Sequence, residues 1–429
     1  MQYNLNKMFK RISENTMTFF GLQVNVKTSY IVFGVVLVKE KLKGYDFTLI
    51  ITPILLASFG IVMIYSASMV SAVVDGLDST YYLFRQVQWF ILSIIGFIFC
   101  CIFPYKYYQN LIKLILLISV IMLLGVLIFG DTAHNATRSM EILGLRIQPS
   151  EFVKLALIIY LASVYSKKQM YIGDFFKGVF PPLILTFIMI ALIVVQPDIG
   201  TASIILFVVG TIIISSGIRF KHILLLFTFS AVLLVLIVPR MITETRIARF
   251  TGAYQPFLNP DGTGYHLIQS YLAIGGGGLS GEGLGQSVQK LGFLWGAHTD
   301  FIMAVIAEEL GVFGVVMVIG LFTVITLRGL FISKKCTDSF GSLLAIGISS
   351  MVAIQAIINL GAISGVLPIT GVTLPFISYG GSSLLALMIS MGILNNIART
   401  VRLKEQEPKT IEPEPINNLT HRRGSSWPI

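Results

Sequence analysis

Residues 178–217 read GVFPPLILTFIMIALIVVQPDIGTASIILFVVGTIIISSG, and Asp198 is the only ionisable side chain in the stretch. Two apolar runs, 178–196 and 199–217, flank the break at Gln196-Pro197-Asp198. A run near 20 residues is the length a helix needs to cross a bilayer, where every backbone polar group must be satisfied within the segment. Runs of the same kind recur along the whole chain. They predict ten spans, at 47–70, 81–103, 107–130, 150–166, 178–196, 199–217, 220–239, 300–327, 340–364 and 376–398. The composition agrees: of 429 residues, 55% are hydrophobic and 12% charged, about half the charge of a soluble domain. The expected fold is an all-α polytopic membrane protein. One membrane domain, 47–400, carries an N-terminal tail, 1–46, and a polar, Pro-containing tail, 401–429, of disordered composition. Residues 28–38 are apolar but too short to cross; with Lys27, Lys39, Lys41 and Lys43 beside them they read as an interfacial segment. Cys100, Cys101 and Cys336 form neither a disulfide framework nor a metal pattern. The first 18 residues are too polar for the apolar region of a signal peptide.

The Lys/Arg distribution sets the orientation. With the N-terminus in the cytoplasm, 23 of the 31 basic residues fall on cytoplasmic segments. The other eight are Arg85, Arg138, Arg146, Lys154, Arg240, Arg246, Arg249 and Lys290. Both termini are therefore cytoplasmic, and the formal charge of +10 is mainly a topology signal with some attraction to anionic lipid, not a nucleic-acid surface. Two long outer loops follow, 131–149 and 240–299, the larger lying between the seventh and eighth spans.

Ionisable groups at membrane depth are costly and mark candidate sites. They gather at two helix starts. The fourth span opens Gln148-Pro149-Ser150-Glu151-Phe152-Val153-Lys154, with Glu151 and Lys154 on one face. The eighth opens Ala297-His298-Thr299-Asp300 and runs through Glu308 and Glu309. Four-residue steps put Asp300, Ala304 and Glu308 on one face, with Glu308 about 12 Å deeper than Asp300. Both helices point their N-termini outward, where free N–H groups and the dipole favour anions, phosphates above all. Arg138, Arg246 and Arg249 sit in the adjoining outer loops. On spacing alone, Glu151–Lys154 also reads as an ordinary ion pair, Asp300 as a first-turn acid, and His298 as a structural hydrogen-bonder. The glycine run Gly275–Gly278 with Gly281, Gly283 and Gly285 lacks a nucleotide loop's Lys-Ser/Thr and reads as a flexible or closely packed outer loop. Gln355, Asn359, Asn395 and Asn396 read as interhelical hydrogen-bonding residues.

At these motifs the sequence resembles the SEDS family (shape, elongation, division and sporulation), whose members include FtsW, RodA and SpoVE. The resemblance runs over most of 47–400 and rests on Tyr65-Ser66-Ala67-Ser68, Gln148 to Lys154, Gln196 to Thr201, Gly264-Tyr265-His266 with Gln269-Ser270, Gly283 to Ser287 with Gln289-Lys290, His298 to Phe301, Ala307 to Gly311 and Leu374 to Ser383. It implies a ten-helix glycosyltransferase that polymerises lipid II into peptidoglycan strands beside a class B penicillin-binding protein. It maps the essential carboxylate onto Asp300 and its ion partner onto Lys154, with Glu151 beside it. Arg138, Arg246, Arg249, His298, Gln148 and Ser378 complete the expected substrate-binding set. Two stretches depart from the family pattern: Leu294-Trp295-Gly296-Ala297 stands where Pro-Glu is usual, and Asn135-Ala136-Thr137-Arg138-Ser139 replaces a Gly-Ala-x-Arg-Trp run.

The residues suit that reaction. A sugar hydroxyl needs a general base to attack, whereas a lipid diphosphate leaves without a proton, so the second carboxylic acid of glycoside hydrolysis is not required. Positive charge at the leaving group is. Asp300 serves as base, and Lys154 as a cation that favours its ionised form. Outer arginines, or a divalent cation such as Mg or Mn that the sequence does not itself establish, meet the diphosphate. The alternatives are a lipid-linked oligosaccharide flippase, for which Glu308 and Glu309 speak, and a non-catalytic scaffold. Transport sites usually lie at the bilayer midplane, and these charges lie at the outer boundary. Within the family, Tyr65-Ser66-Ala67-Ser68-Met69 and the tails lean to the division type over the elongation type, which places the protein among divisome proteins at the septal cytoplasmic membrane.

Overall fold

The computed structural model describes residues 44–133, 136–142, 144–241 and 244–406, together with a short hairpin pairing Thr18–Phe19 with Leu22–Gln23. The segment expected at the interface, 28–38, and the tail beyond 406 lie outside the described residues. The chain is dominated by helices: α1 (Phe47–Val74), α2 (Tyr81–Ile102), α3 (Lys106–Phe129), α4 (Pro149–Lys167), α5 (Phe180–Val195, entered through a π turn Phe175–Val179), α6 (Ile199–Ser215), α7 (Phe220–Met241), α8 (Glu244–Tyr254), α9 (Tyr265–Gly277), α10 (Ile302–Lys335), α11 (Ser339–Ile363) and α12 (Gly381–Gln406). Seven of these, α1, α2, α3, α5 with its π turn, α10, α11 and α12, are long and apolar enough to cross a membrane. Helices α4, α6 and α7 stand where the remaining spans are expected; α4 carries Glu151, Lys154 and Lys167, and α6 has 17 residues.

Burial sorts the helices into a centre and a rim. The apolar window of α12 is 78% buried and that of α11 67%, against 17% for α3. In α4, 14 of 19 residues are buried, charged ones included. The centre is therefore α4, α11 and α12, and α3 shows most of its surface to lipid. Capping fixes the cytoplasmic ends. Asp46 accepts from Thr48 N (3.1 Å) at the start of α1, and Asp338 accepts from Gly341 N (3.1 Å) at the start of α11. Asp46 is buried and also receives Arg328 Nε of α10 (2.6 Å) and Arg402 Nη2 of α12 (2.9 Å), while Asn395 Oδ1 accepts its backbone N–H (2.9 Å). Two of the cations that set the topology thus also close the cytoplasmic end of the bundle.

Both outer loops are folded. Residues 131–147 form a three-stranded antiparallel sheet, β1 (Asp131–Ala133), β2 (Ala136–Ile142) and β3 (Leu145–Ile147), with Glu141 opposite Arg146. The second loop holds α8 and α9 and then turns inward. Its residue Lys290 donates to Ser66 Oγ (2.8 Å), eight residues and about 12 Å below the outer end of α1.

The eighth span differs from expectation. Helix α10 is broken at Gly311 (φ 64°, ψ −157°), where a left-handed backbone favours glycine. Gly311 stands 24 residues from Lys335, and Ile363 stands 24 from Ser339, so both lie about 36 Å from the short 336–338 turn. Asn359 of α11, about 6 Å below Ile363, nevertheless bonds the carbonyl of Asp300. The segment before Gly311 therefore folds back into the bundle. The carbonyls released by the break accept from the glycine run: Glu282 N to Glu308 O (2.9 Å), Gly283 N to Glu309 O (3.0 Å), with Val312 N to Gly278 O (3.1 Å). Asp300 sits in the turn ahead of the helix, not on its face, and the continuous Asp300-Ala304-Glu308 stripe with Glu308 deeper is replaced by this fold-back.

Candidate active site

Pro149 opens α4, a position where no backbone donor is needed, and the first two turns then present Glu151 and Lys154. Lys154 Nζ lies 2.9 Å from Glu151 Oε2, with side chains 2% and 7% exposed. The contact is a charge pair, since Glu151 Oε2 has no donor in hydrogen-bonding geometry. Lys154 Nζ also donates to Gln355 Oε1 of α11 (2.8 Å). One turn along the same face of α11, about 6 Å away, Asn359 Nδ2 donates to Asp300 O (2.8 Å) and to Val372 O (2.8 Å). A single helix face thus holds both the lysine ammonium and the backbone of the turn that bears Asp300.

The turn holding Asp300 is braced on every side. Thr299 Oγ1 donates to Asp300 Oδ1 (2.9 Å). Ser378 Oγ donates to Thr299 O (2.5 Å) and accepts from Leu374 N (2.8 Å), and Tyr379 N donates to His298 O (2.9 Å). The Ser378 hydroxyl is thus engaged in fixing the turn. The His298 ring packs on Tyr82 (4.6 Å between centroids) and Tyr379 (5.8 Å). Burial pushes this imidazole down to about 4, with the Asp75 carboxylate opposing the shift, so His298 is neutral at pH 7 and acts through packing.

Gln148 joins three helix starts. Its N–H donates to Ser382 Oγ of α12 (3.1 Å) and its Nε2 to Asp198 Oδ2 (3.0 Å), the cap of α6. Ser150 Oγ donates to the same Asp198 oxygen (3.1 Å). The positive ends of these helices converge.

Beside them opens a cleft of about 670 Å³ between the start of α2, the outer sheet, the start of α4 and the 379–382 loop. Arg85, Arg138, Arg146 and Gln148 line it, with Glu141 the one acid of its walls among the described residues. Arg85 Nη1 donates to Gly144 O (2.6 Å) and Arg138 Nη2 to Pro197 O (2.7 Å). The sheet therefore delivers Arg138 and Arg146 to the cleft. Tyr82 and Tyr379 form the wall between the cleft and His298, two residues from Asp300.

Glu308 and Glu309 are occupied in holding the inward loop. Glu308 accepts from Ser287 Oγ and from Val288 N (2.9 Å). Glu309, fully buried, pairs with Lys290 Nζ (2.7 Å) and accepts from Ser66 Oγ (2.7 Å). Arg246 and Arg249 fall on α8, and their side chains lie outside the described residues. Among the described residues, no group of three or more His, Cys, Asp or Glu gathers as a metal-ligand set.

Sequence reasoning placed Arg85 and Arg146 only as outer charges. The signal that could have promoted them is position: Arg85 lies in the first turn of an outward-facing helix start and Arg146 two residues before the Gln148-Pro149 motif. The sheet that brings Arg146 toward Arg138 had no such signal, because its strands are three to seven residues long.

Residues 47–403 match the cell cycle protein family of FtsW, RodA and SpoVE. The chain is 49% identical over 383 residues to a probable peptidoglycan glycosyltransferase FtsW of Bacillus subtilis strain 168, covering 87% of this chain and 95% of that protein. It is 40% identical to stage V sporulation protein E of the same organism, covering 83% and 98%. Among solved structures, a chain from a peptidoglycan synthase complex that coordinates polymerisation and crosslinking superposes with a TM-score of 0.69 at 26% identity, covering 84% of this chain and 99% of that one. The rod-shape-determining protein RodA of Thermus thermophilus gives 0.61 at 25%, covering 83% and 97%. Sequence, helix order and bundle geometry agree, and the chain belongs to the FtsW/RodA/SpoVE family of polytopic membrane proteins.

Proposed function

We propose that this protein is a peptidoglycan glycosyltransferase that polymerises lipid II at the outer face of the cytoplasmic membrane, in the division-type branch of its family and at the septum. The observation that carries the reading is that α11 holds the Lys154 ammonium through Gln355 and the backbone carbonyl of Asp300 through Asn359 one turn away, with an arginine-lined cleft beyond Tyr82 and Tyr379.

In this reading Asp300 takes the proton of the acceptor sugar hydroxyl as that oxygen attacks the anomeric carbon of the donor. The bond from that carbon to the lipid diphosphate breaks, and the diphosphate leaves with the electron pair. Arg85, Arg138 and Arg146, with the converging helix N-termini, neutralise the leaving group. Lys154 keeps Asp300 ionised, and Glu151 keeps Lys154 in place. The domain boundaries 47–400, a class B penicillin-binding protein as crosslinking partner, and association with other divisome proteins belong to the same proposal. The identity to division-type relatives favours septal over elongation-type work. A flippase loses its main support, because Glu308 and Glu309 are engaged with the inward loop.

The test is polymerisation of purified lipid II by the purified full-length protein, with and without the partner. Asp300→Asn should abolish glycan chains while the protein elutes and melts like wild type. Near-normal polymerisation by that variant overturns the assignment.

A further inference from the structure

Trp295 lies in the stretch that departs from the family pattern, five residues before Asp300, and it is 68% exposed. An indole is mostly covered in folded proteins, so an exposed one beside a reactive carboxylate calls for a ligand. Gly296 follows it in a left-handed conformation (φ +73°), and a Cβ added there would fall on Asp300 Oδ1. The carboxylate therefore lies directly over the backbone that carries Trp295. The His266 ring, from α9, sits 6.4 Å from the Trp295 ring and 6.3 Å from that of Phe301, so it bridges the residues on either side of Asp300. His266 Nδ1 is buried and has no hydrogen-bond partner. Burial holds this imidazole below its usual pKa, opposed by Asp300.

We infer that Trp295 and His266 form the subsite for the acceptor N-acetylhexosamine ring, the sugar whose hydroxyl Asp300 deprotonates. The inference rests on the polymerase reading. A pyranose offers an apolar C–H face and a rim of hydroxyls. Trp295 supplies a rigid surface for the face, and His266 a hydrogen-bonding nitrogen for the rim. The Trp295 ring is tilted 57° to that of His266.

The experiment uses the full-length protein in nanodiscs of zwitterionic lipid. Initial polymerisation rates against lipid II concentration are compared for wild type, Trp295→Ala, Trp295→Phe, His266→Ala and His266→Gln. Trp295→Ala should raise KM about tenfold with kcat within about twofold, and Trp295→Phe should recover most of the loss. His266→Ala should lower kcat/KM, and His266→Gln should restore part of it. A second arm measures equilibrium binding in the Asp300→Asn background, where no turnover is needed. There Trp295→Ala should weaken lipid II by the same factor and leave undecaprenyl diphosphate, which has no sugar, unchanged. Equal weakening of both lipids overturns the sugar assignment, as does an unchanged KM. So does a loss of activity at every lipid II concentration that Trp295→Phe does not rescue. If wild type fails to polymerise but the sugar-dependent binding difference persists, the polymerase reading falls and the sugar subsite stands.

Discussion

The buried pair at the start of α4 gives the sharpest test of what the charges are for. Glu151→Leu would leave the Lys154 ammonium, 2% exposed, with Gln355 as its remaining partner among these contacts. Lys154→Met would leave the Glu151 carboxylate buried in the same way. Removing one partner of a buried pair costs about 3–5 kcal/mol, because the other charge stays desolvated and uncompensated. Removing both deletes the two desolvation penalties. What remains is Gln355 Oε1 without its donor, about 1–3 kcal/mol. At roughly 2 °C per kcal/mol, each single variant should melt about 6–10 °C below wild type. The double variant should melt only about 2–6 °C below, less than either single loss doubled. Activity should follow a different order: Lys154→Met and the double variant should both fail to polymerise lipid II. Thermal midpoints from fluorescence-detected size exclusion, run beside the polymerisation assay, read both quantities. Additive losses in the double variant would refute the buried-pair reasoning. Wild-type turnover by the double variant would remove Lys154 from the chemistry.

Two further outcomes follow from the same kind of accounting. Glu309→Leu strands Lys290, whose side chain is 1% exposed, and should cost about 3–5 kcal/mol; adding Lys290→Met should recover much of it in a thermal melt, and failure to recover would show that the pair is not what holds the inward loop. His298 has its folded-state value lowered from the usual 6.5 to about 4. Below pH 6.5 the unfolded chain therefore binds a proton that the folded one refuses, and stability falls as pH drops from 6.5 toward 4. The thermal midpoint of wild type should decline through that window more steeply than that of His298→Phe, which keeps the ring packing; parallel curves would contradict this.

Much of the fold is visible in the sequence because bilayer-crossing length is a coarse, redundant signal. The 178–217 stretch needs no tertiary information to be read as two spans, and Asp198 between them appears as the cap of α6. Local pattern also gave the Glu151–Lys154 pair, since a separation of three fixes a shared helix face. Gln355 and Asn359 were legible as hydrogen-bonding residues, though not their targets, because those lie on α4 and in the turn at Asp300, far away in sequence. Gly311 was unreadable for a related reason. One glycine in an apolar helix is ordinary, and the break exists because carbonyls of Glu308 and Glu309 are taken by Glu282 and Gly283 from a distant loop. The depth of Asp300 changed with that break, since the rise along a continuous helix no longer applied.

The Asp46 clamp has a consequence for how the protein is made. Its contact to Arg402 joins residues 356 apart, the first span to the last. At about 5–20 residues per second, the ribosome needs about 20–70 s to reach Arg402 after Asp46 has emerged. Throughout that interval the carboxylate lacks Arg402, while Arg328 is made earlier. A chain stopped before α12 would hold Asp46 by Arg328 alone of its two cations. Asp46 thus gains its second cation, and its backbone N–H its acceptor, only once α12 is made.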